Sequence, residues 1–165
     1  MRTPLAPDIE FTQIDPKYVK VTIIRNLLGW VPALAVAVGV ALIINSNYSA
    51  ATWIWVFPAV VAALFGWSLW VTVRRARVIG YAELDEELLV RSGIMFQKLS
   101  VVPYGRMQQV EINSGPLLAN SGLATVELVT ASADTNAKIP GVTRAEAERL
   151  RTKLTALGNS NMEGL

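Results

Sequence analysis

The chain has no cysteine and no histidine. That removes thiol nucleophiles, disulfides, imidazole bases and the usual zinc ligands, and leaves carboxylates, hydroxyls, Lys, Arg and Tyr for any chemistry. No charged residue occurs from Asn26 to Val73. An ionisable group at membrane depth would mark an ion or proton path, so its absence argues against a transporter or channel acting alone. The start of the chain lacks the basic region and small-residue cleavage site of a secretory signal. Net charge is only +2, and its basic residues cluster beside the apolar region, so no nucleic-acid footprint is read.

What the uncharged region does contain is two long apolar runs, residues 27–44 and 51–73, separated by the polar piece NSNYSA. A helix rises about 1.5 Å per residue, so each run can cross a hydrocarbon core of roughly 30 Å. The pair is read as a transmembrane hairpin spanning residues 21–73, against the alternative of two buried helices in a soluble protein. Lys17, Lys20 and Arg25 precede the first span, Arg74, Arg75 and Arg77 follow the second, and the loop carries no charge. These six residues are the expected headgroup anchors. They are expected to place both termini of a multi-pass membrane protein in the cytoplasm. All five tryptophans lie in the hairpin. Trp53 and Trp55 are expected at the outer interface and Trp30, Trp67 and Trp70 toward the inner one.

Small residues recur four apart: Ala33, Ala37 and Ala41 in the first span, with Ala35 and Gly39 as a second row, then Ala59 with Ala63 and Ala62 with Gly66 in the second span. They are expected to pack the two helices on each other; docking a partner helix is the alternative. Pro32 is expected in the first turns of its span, where a missing N–H costs little, and Pro58 deeper, where it would kink the second helix. Residues 1–20 read as an extended cytoplasmic arm, with residues 17–25 running along the interface or beginning the first helix.

After the hairpin the period changes. Residues 78–84, 88–91, 94–102, 107–113, 123–130 and 137–139 read as short strands, broken by Asp85-Glu86-Glu87, Ser92-Gly93, Pro103-Tyr104-Gly105 and Ser114-Gly115-Pro116. Val110 and Ile112 alternate with Gln109 and Glu111, and Ala124, Val126 and Leu128 with Thr125, Glu127 and Val129, the pattern of an antiparallel sheet with one covered face. Residues 132–136 read as a loop. Residues 143–157 switch to helical period: Thr143 and Glu146 form a capping box, Ala147, Leu150, Leu154 and Leu157 one stripe, and Gly158 the stop. The domain is therefore placed at residues 74–158, with a tail at 159–165.

The stretch Val101-Val102-Pro103-Tyr104-Gly105-Arg106-Met107-Gln108-Gln109-Val110 resembles the strand-Pro-x-x-Arg-apolar-Gln-x-Val segment of bacterial pleckstrin-homology-like domains. Gly115-Pro116-Leu117-Leu118 with Gly122-Leu123-Ala124-Thr125-Val126, Leu89-Val90-Arg91-Ser92-Gly93-Ile94 and Ile139-Pro140-Gly141 are similar to the same family. These are membrane-anchored proteins of the DUF304 or YdbS-like type. The resemblance implies an α+β membrane protein: a two-helix hairpin, then a PH-like bent β-barrel of about seven antiparallel strands with a C-terminal capping helix. It does not imply an enzyme. The motif residues Pro103, Arg106, Gln108 and Gly122 are expected to be structural, with Arg106 and Gln108 bonded to backbone or to a carboxylate such as Glu111.

No catalytic set, metal site or cofactor is expected; Tyr104, Arg106, Glu111 and Glu127 have no recognisable catalytic spacing. The acidic turn Asp85-Glu86-Glu87 stands where an inositol-phosphate site would need cations. The expected function is that of an interaction protein: an accessory or assembly subunit docking on a larger integral-membrane complex, with lipid as its other partner. The layout is similar to small accessory subunits of actinobacterial respiratory supercomplexes of cytochrome bcc with an aa3 oxidase. The alternative is a homo-oligomeric or paralogue-paired envelope or stress-response protein.

Overall fold

Helix α1 runs unbroken over Lys17–Tyr48. Its start is fixed by Asp15, whose carboxylate accepts the Lys17 N–H at 2.7 Å and sets a negative charge at the positive end of the helix. The computed structural model describes residues 9–48, 52–130 and 136–163. A 3₁₀ turn, Thr52–Trp55, leads into helix α2, Val56–Val78. Most of the polar piece between the runs, 45–48, is thus helical, while residues 49–50 of the expected outer loop and residue 51 of the second run lie outside the described residues. So do residues 1–8 of the expected arm, most of the 132–136 loop, and residues 164–165.

The two prolines exchange roles. Because α1 begins ten residues before the first apolar run, Pro32 lies inside it and removes one ladder hydrogen bond. Because α2 begins at Val56, Pro58 falls in its first turn, where the N–H has no helical partner to lose. The physical reason is that the helix obeys backbone continuity, whereas the apolar run marks only the part that faces lipid.

The stretches Lys17–Ser46 and Trp53–Val78 have mean hydropathies of 2.5 and 1.9, yet only 11% and 6% of their most apolar windows are buried inside the structure. Core helices of a soluble protein would be covered; these are apolar and bare, as membrane helices are.

The described residues form two compact units, Thr22–Arg74 and the combination of Met1–Val21 with Arg75–Leu165. In the first, the Asn26 amide donates to Ser68 Oγ at 3.0 Å and Thr72 Oγ1 at 3.1 Å, a polar tie between α1 and α2. Trp30 and Phe65 meet with ring centroids 6.2 Å apart.

The second unit holds two antiparallel sheets and a helix. Strands β1 (Thr12–Gln13), β2 (Gly80–Glu83), β3 (Glu87–Ser92) and β4 (Lys98–Pro103) pair in that order. Strands β5 (Met107–Asn113), β6 (Leu123–Thr130) and β7 (Ala137–Thr143) form the other sheet. β1 comes from the segment expected as a free arm: Thr12 pairs with Tyr81 and Gln13 with Gly80, and the Asp15 N–H donates to Gly141 O at 3.0 Å. Ile14, buried beside this strand, supplies the apolar reason for the segment to join the domain.

The strand expected over 94–102 begins only at Lys98. Gly93, at φ +90°, turns the chain so tightly that an added Cβ would sit 2.0 Å from Phe96 O, leaving residues 93–97 as a loop. Leu117 and Leu118 lie in a one-turn helix α3, Pro116–Asn120, opened by its proline. β7 runs four residues further than expected. Pro140 is accommodated because β7 is an edge strand and the register slips there, with Ala124 opposite Val142 but Val126 opposite Ile139.

Helix α4 spans Arg144–Glu163 and so passes through Gly158, the expected stop, into the expected tail. Thr143 Oγ1 accepts the Glu146 N–H at 3.3 Å, as a capping residue should. Ala147, Leu150 and Leu154 are fully buried against both sheets, in one core with Leu88, Val102, Tyr104, Val126, Leu128 and Ile139.

Candidate docking cleft between strand β5 and helix α4

β5 has a neighbour, β6, on one side only. An edge strand leaves a row of backbone N–H and C=O groups without ladder partners. A bulge between Met107 and Gln109 puts Gln108 out of register and bends the strand as it leaves the Tyr104–Arg106 turn. The bend opens a cleft of about 670 Å³ between β5 and the second half of α4. Met107, Gln108, Gln109 and Val110 line one wall; Arg151, Thr152, Leu154, Thr155, Ala156 and Gly158 line the other. Its floor is apolar and its rim carries amides, hydroxyls and one guanidinium. Arg151 is paired with Glu148 at 2.8 Å, and Thr152 Oγ1 donates back to Glu148 O. Among the described residues no carboxylate or tyrosine lines the cleft. Its described lining offers backbone and side-chain polar groups beside apolar ones.

The residues weighed for catalysis do not assemble into a site. Tyr104 is buried, and its hydroxyl donates to Leu84 O at 2.8 Å. Burial, with the nearby carboxylates of Glu83, Asp85 and Glu87, pushes its hydroxyl up to about 12. Glu111 and Glu127 are cross-strand partners on the outer face. Two carboxylates facing each other would repel, but Lys138 pairs with Glu127 at 2.6 Å, and Gln109 and Asn113 donate to Glu111. The expectation that Arg106 and Gln108 bond to Glu111 or to backbone is corrected. Both are exposed, and among the described residues neither side chain has a hydrogen bond; Gln109 takes the place beside Glu111 because the bulge turns Gln108 away. Pro103 ends β4 and opens the following turn at φ −63°, and Gly122 turns the chain at φ +69°.

Of the small-residue rows, Ala37 and Ala41 are buried, Ala33, Ala59, Ala63 and Gly66 are exposed, and Gly39 is half-buried. No atom lies within 4 Å of a Cβ built at Gly39 or Gly66, so neither glycine is a point of close approach. Among the anchors, Lys17, Lys20, Arg25, Arg74, Arg75 and Arg77 are all exposed, and the Arg74 guanidinium lies 4.5 Å from the Trp70 ring centre.

Other residues matter that the pattern did not single out. Arg91 is buried, donates from Nε to Val78 O at 3.2 Å and lies 5.3 Å from the Phe11 ring centre, so it clamps the end of α2 to the first sheet. Tyr18 fills the space above Gly141, where an added Cβ would lie 2.4 Å from it. Glu83 accepts from Arg149 and, at 2.7 Å, from Lys153, tying β2 to α4. Burial pushes the Glu83 carboxyl up, but these hydrogen bonds outweigh it and hold the group below its ordinary value. The hydrogen bond from Arg149 likewise lowers Glu146, which also accepts from the Tyr81 hydroxyl at 2.7 Å. Burial, chiefly, raises Tyr81. A lone asparagine at the edge of an uncharged run, such as Asn26, was a readable signal; the partners of Arg91 and Glu83, far off in sequence, were not.

Among the described residues, two sheets of seven strands in all, closed by α4 and joined to two apolar helices, define a PH-like domain carried by a membrane hairpin. A family model described as "Bacterial PH domain" matches residues 23–157, so the match takes in both the hairpin and the domain. The chain belongs to the bacterial PH domain family. It is 31% identical over 150 residues to the UPF0699 transmembrane protein YdbS of Bacillus subtilis (strain 168), covering 88% of this chain and 91% of that protein. No solved structure matches the chain. It is a membrane-associated bacterial PH-domain protein, and the family is not an enzyme family.

Proposed function

We propose that this protein is a non-enzymatic docking subunit. In this reading the hairpin holds it in the plasma membrane with both termini cytoplasmic, and the PH-like domain engages a larger integral-membrane assembly. The respiratory bcc–aa3 supercomplex that the layout resembles is one candidate assembly. The observation that carries the reading is the cleft: an unpaired β5 edge beside α4, apolar at its floor and polar at its rim. That combination suits addition of an extended segment, whose backbone would continue the β5-β6-β7 sheet while its side chains settle against Val110 and Ala156.

The test is site-specific photo-crosslinking from Gln109 in native bacterial membranes, followed by identification of the captured protein. The expected product is a heteromeric adduct with a membrane protein, absent when the photoreactive residue is moved to exposed Thr125-side positions such as Lys138 on β7. A product containing two copies of this chain would instead establish the homo-oligomeric alternative.

A further inference from the structure

Met95 and Phe96 are the barest large apolar residues described in the chain, 85% and 87% exposed, against 71% for Trp53, the barest of those in the hairpin. They sit at the tip of the loop joining β3 to β4, in a unit whose other apolar residues are otherwise largely covered; an exposed apolar pair at a loop tip calls for an occupant. Their place in the sheet says which. Gly80 pairs with both Arg91 and Gln13, and Ser92 pairs with Lys98. The loop therefore leaves the sheet at the end where Gly80 follows the last residue of α2, Val78, and where β1 runs on toward Lys17 at the start of α1. The Arg91 bond to Val78 O fixes that end. At about 3.3 Å per residue, Met95 lies at most about 13 Å along the strand direction from Arg91. The acidic turn Asp85-Glu86 lies at the opposite end of the same strands.

We infer that residues 94–96 form a second membrane contact, with Met95 and Phe96 entering the lipid interface of the bilayer that holds the hairpin. The charges agree with this occupant. Arg75 and Arg77 in the last turn of α2 lie just before the strand that enters this end of the sheet, and exposed Lys98 stands at the root of the loop, cations that favour anionic headgroups. Gly93 permits the tight turn that presents the pair, since its φ of +90° excludes a side chain there. This contact is independent of the β5–α4 cleft, which can fail while the loop still inserts.

The chain has no native cysteine, so Met95→Cys places a single environment-sensitive fluorophore beside an intact Phe96. The full chain, reconstituted without other proteins into phosphatidylcholine vesicles with and without phosphatidylglycerol, is compared with the same label at Glu86→Cys. The Met95 label should be quenched several-fold more by shallow spin-labelled lipid, and several-fold less by aqueous iodide, than the Glu86 label. Phe96→Asp in the Met95→Cys background should return the label to water while leaving the domain folded. A Met95 label as open to iodide as that at Glu86 overturns the proposal. So does one shielded only in native membranes, since that outcome assigns the loop to a protein partner.

Discussion

Leucine does opposite work in the two units. Leu28 in the hairpin is 63% exposed, whereas Leu88 and Leu128 in the domain are completely buried. The hairpin ties its helices together with a few polar bonds from Asn26 and covers little of its apolar surface; the domain holds its sheets together by removing that surface from water. The difference is one of solvent. Between helices in lipid there is no hydrophobic gain from contact, so hydrogen bonds and close packing matter; in water, burial dominates.

Truncating leucines tests this contrast most strongly. Leu128→Ala should destabilise the domain by about 4 kcal/mol, because a fully buried site leaves a cavity. Leu28→Ala, with the side chain facing outward from the hairpin, should change stability within about 0.5 kcal/mol. Hydrogen exchange of the β6 and β7 amides in detergent-solubilised full chain reads both: faster exchange in the first variant, none in the second. Equal effects would erase the distinction between the units.

Backbone strain comes next, within the domain. Gly141 stands at φ +71° with Tyr18 packed on it, so Gly141→Ala combines a left-handed backbone cost of about 1–2 kcal/mol with overpacking of about 1–3 kcal/mol. Gly122→Ala, at φ +69° but in open space, should cost only the former. Denaturant midpoints of the two variants should differ in that order, and the Gly141 variant should also speed exchange at the β1–β2 pairing, since Tyr18 follows β1.

The hairpin's own test is Asn26→Ala. Loss of the bonds to Ser68 and Thr72 should weaken helix association by about 1 kcal/mol, read as a lower melting temperature in mild detergent with domain exchange unchanged. The effect is held down because Asn26 Oδ1 is itself buried without a partner among the described residues.

The smallest effect is on pH. Glu83 and Glu146 are both held below the ordinary carboxylate value of 4.5 by their cationic partners. A depressed folded-state value means the native state binds fewer protons than the unfolded chain. The contribution is therefore complete above 4.5 and is lost as the pH falls below it. With Arg149 half-exposed, the ties are worth about 1 kcal/mol or less. Glu83→Gln should flatten the acid limb of the stability profile and leave neutral-pH hairpin properties untouched; an unchanged acid limb would show that the ties carry no stability.

The membrane helices, the strand alternation in β5 and β6, and the Thr143 cap were legible because each rests on local period or local chemistry. The inward set Ala124, Val126 and Leu128 needs only a period of two, and the bare apolar surface of α1 and α2 follows from an uncharged run. The cleft was not legible. It depends on a one-residue bulge at Gln108, and a backbone slip of that kind leaves no mark on hydrophobic pattern. Arg106 and Gln108 were assigned partners by proximity in sequence, and the bulge gave the place to Gln109.

Sequence alone determined that lipid solvates one part of this protein and water the rest, since transfer energies of side chains are additive along a chain. Tertiary structure decided what joins the sheet and what stays open. The segment before α1 becomes β1 because Ile14 and Tyr18 find a core to cover and a glycine to rest on, and β5 is left at the edge of its sheet with α4 across the cleft from it. Such outcomes turn on contacts between residues distant in sequence, and no local pattern encodes them.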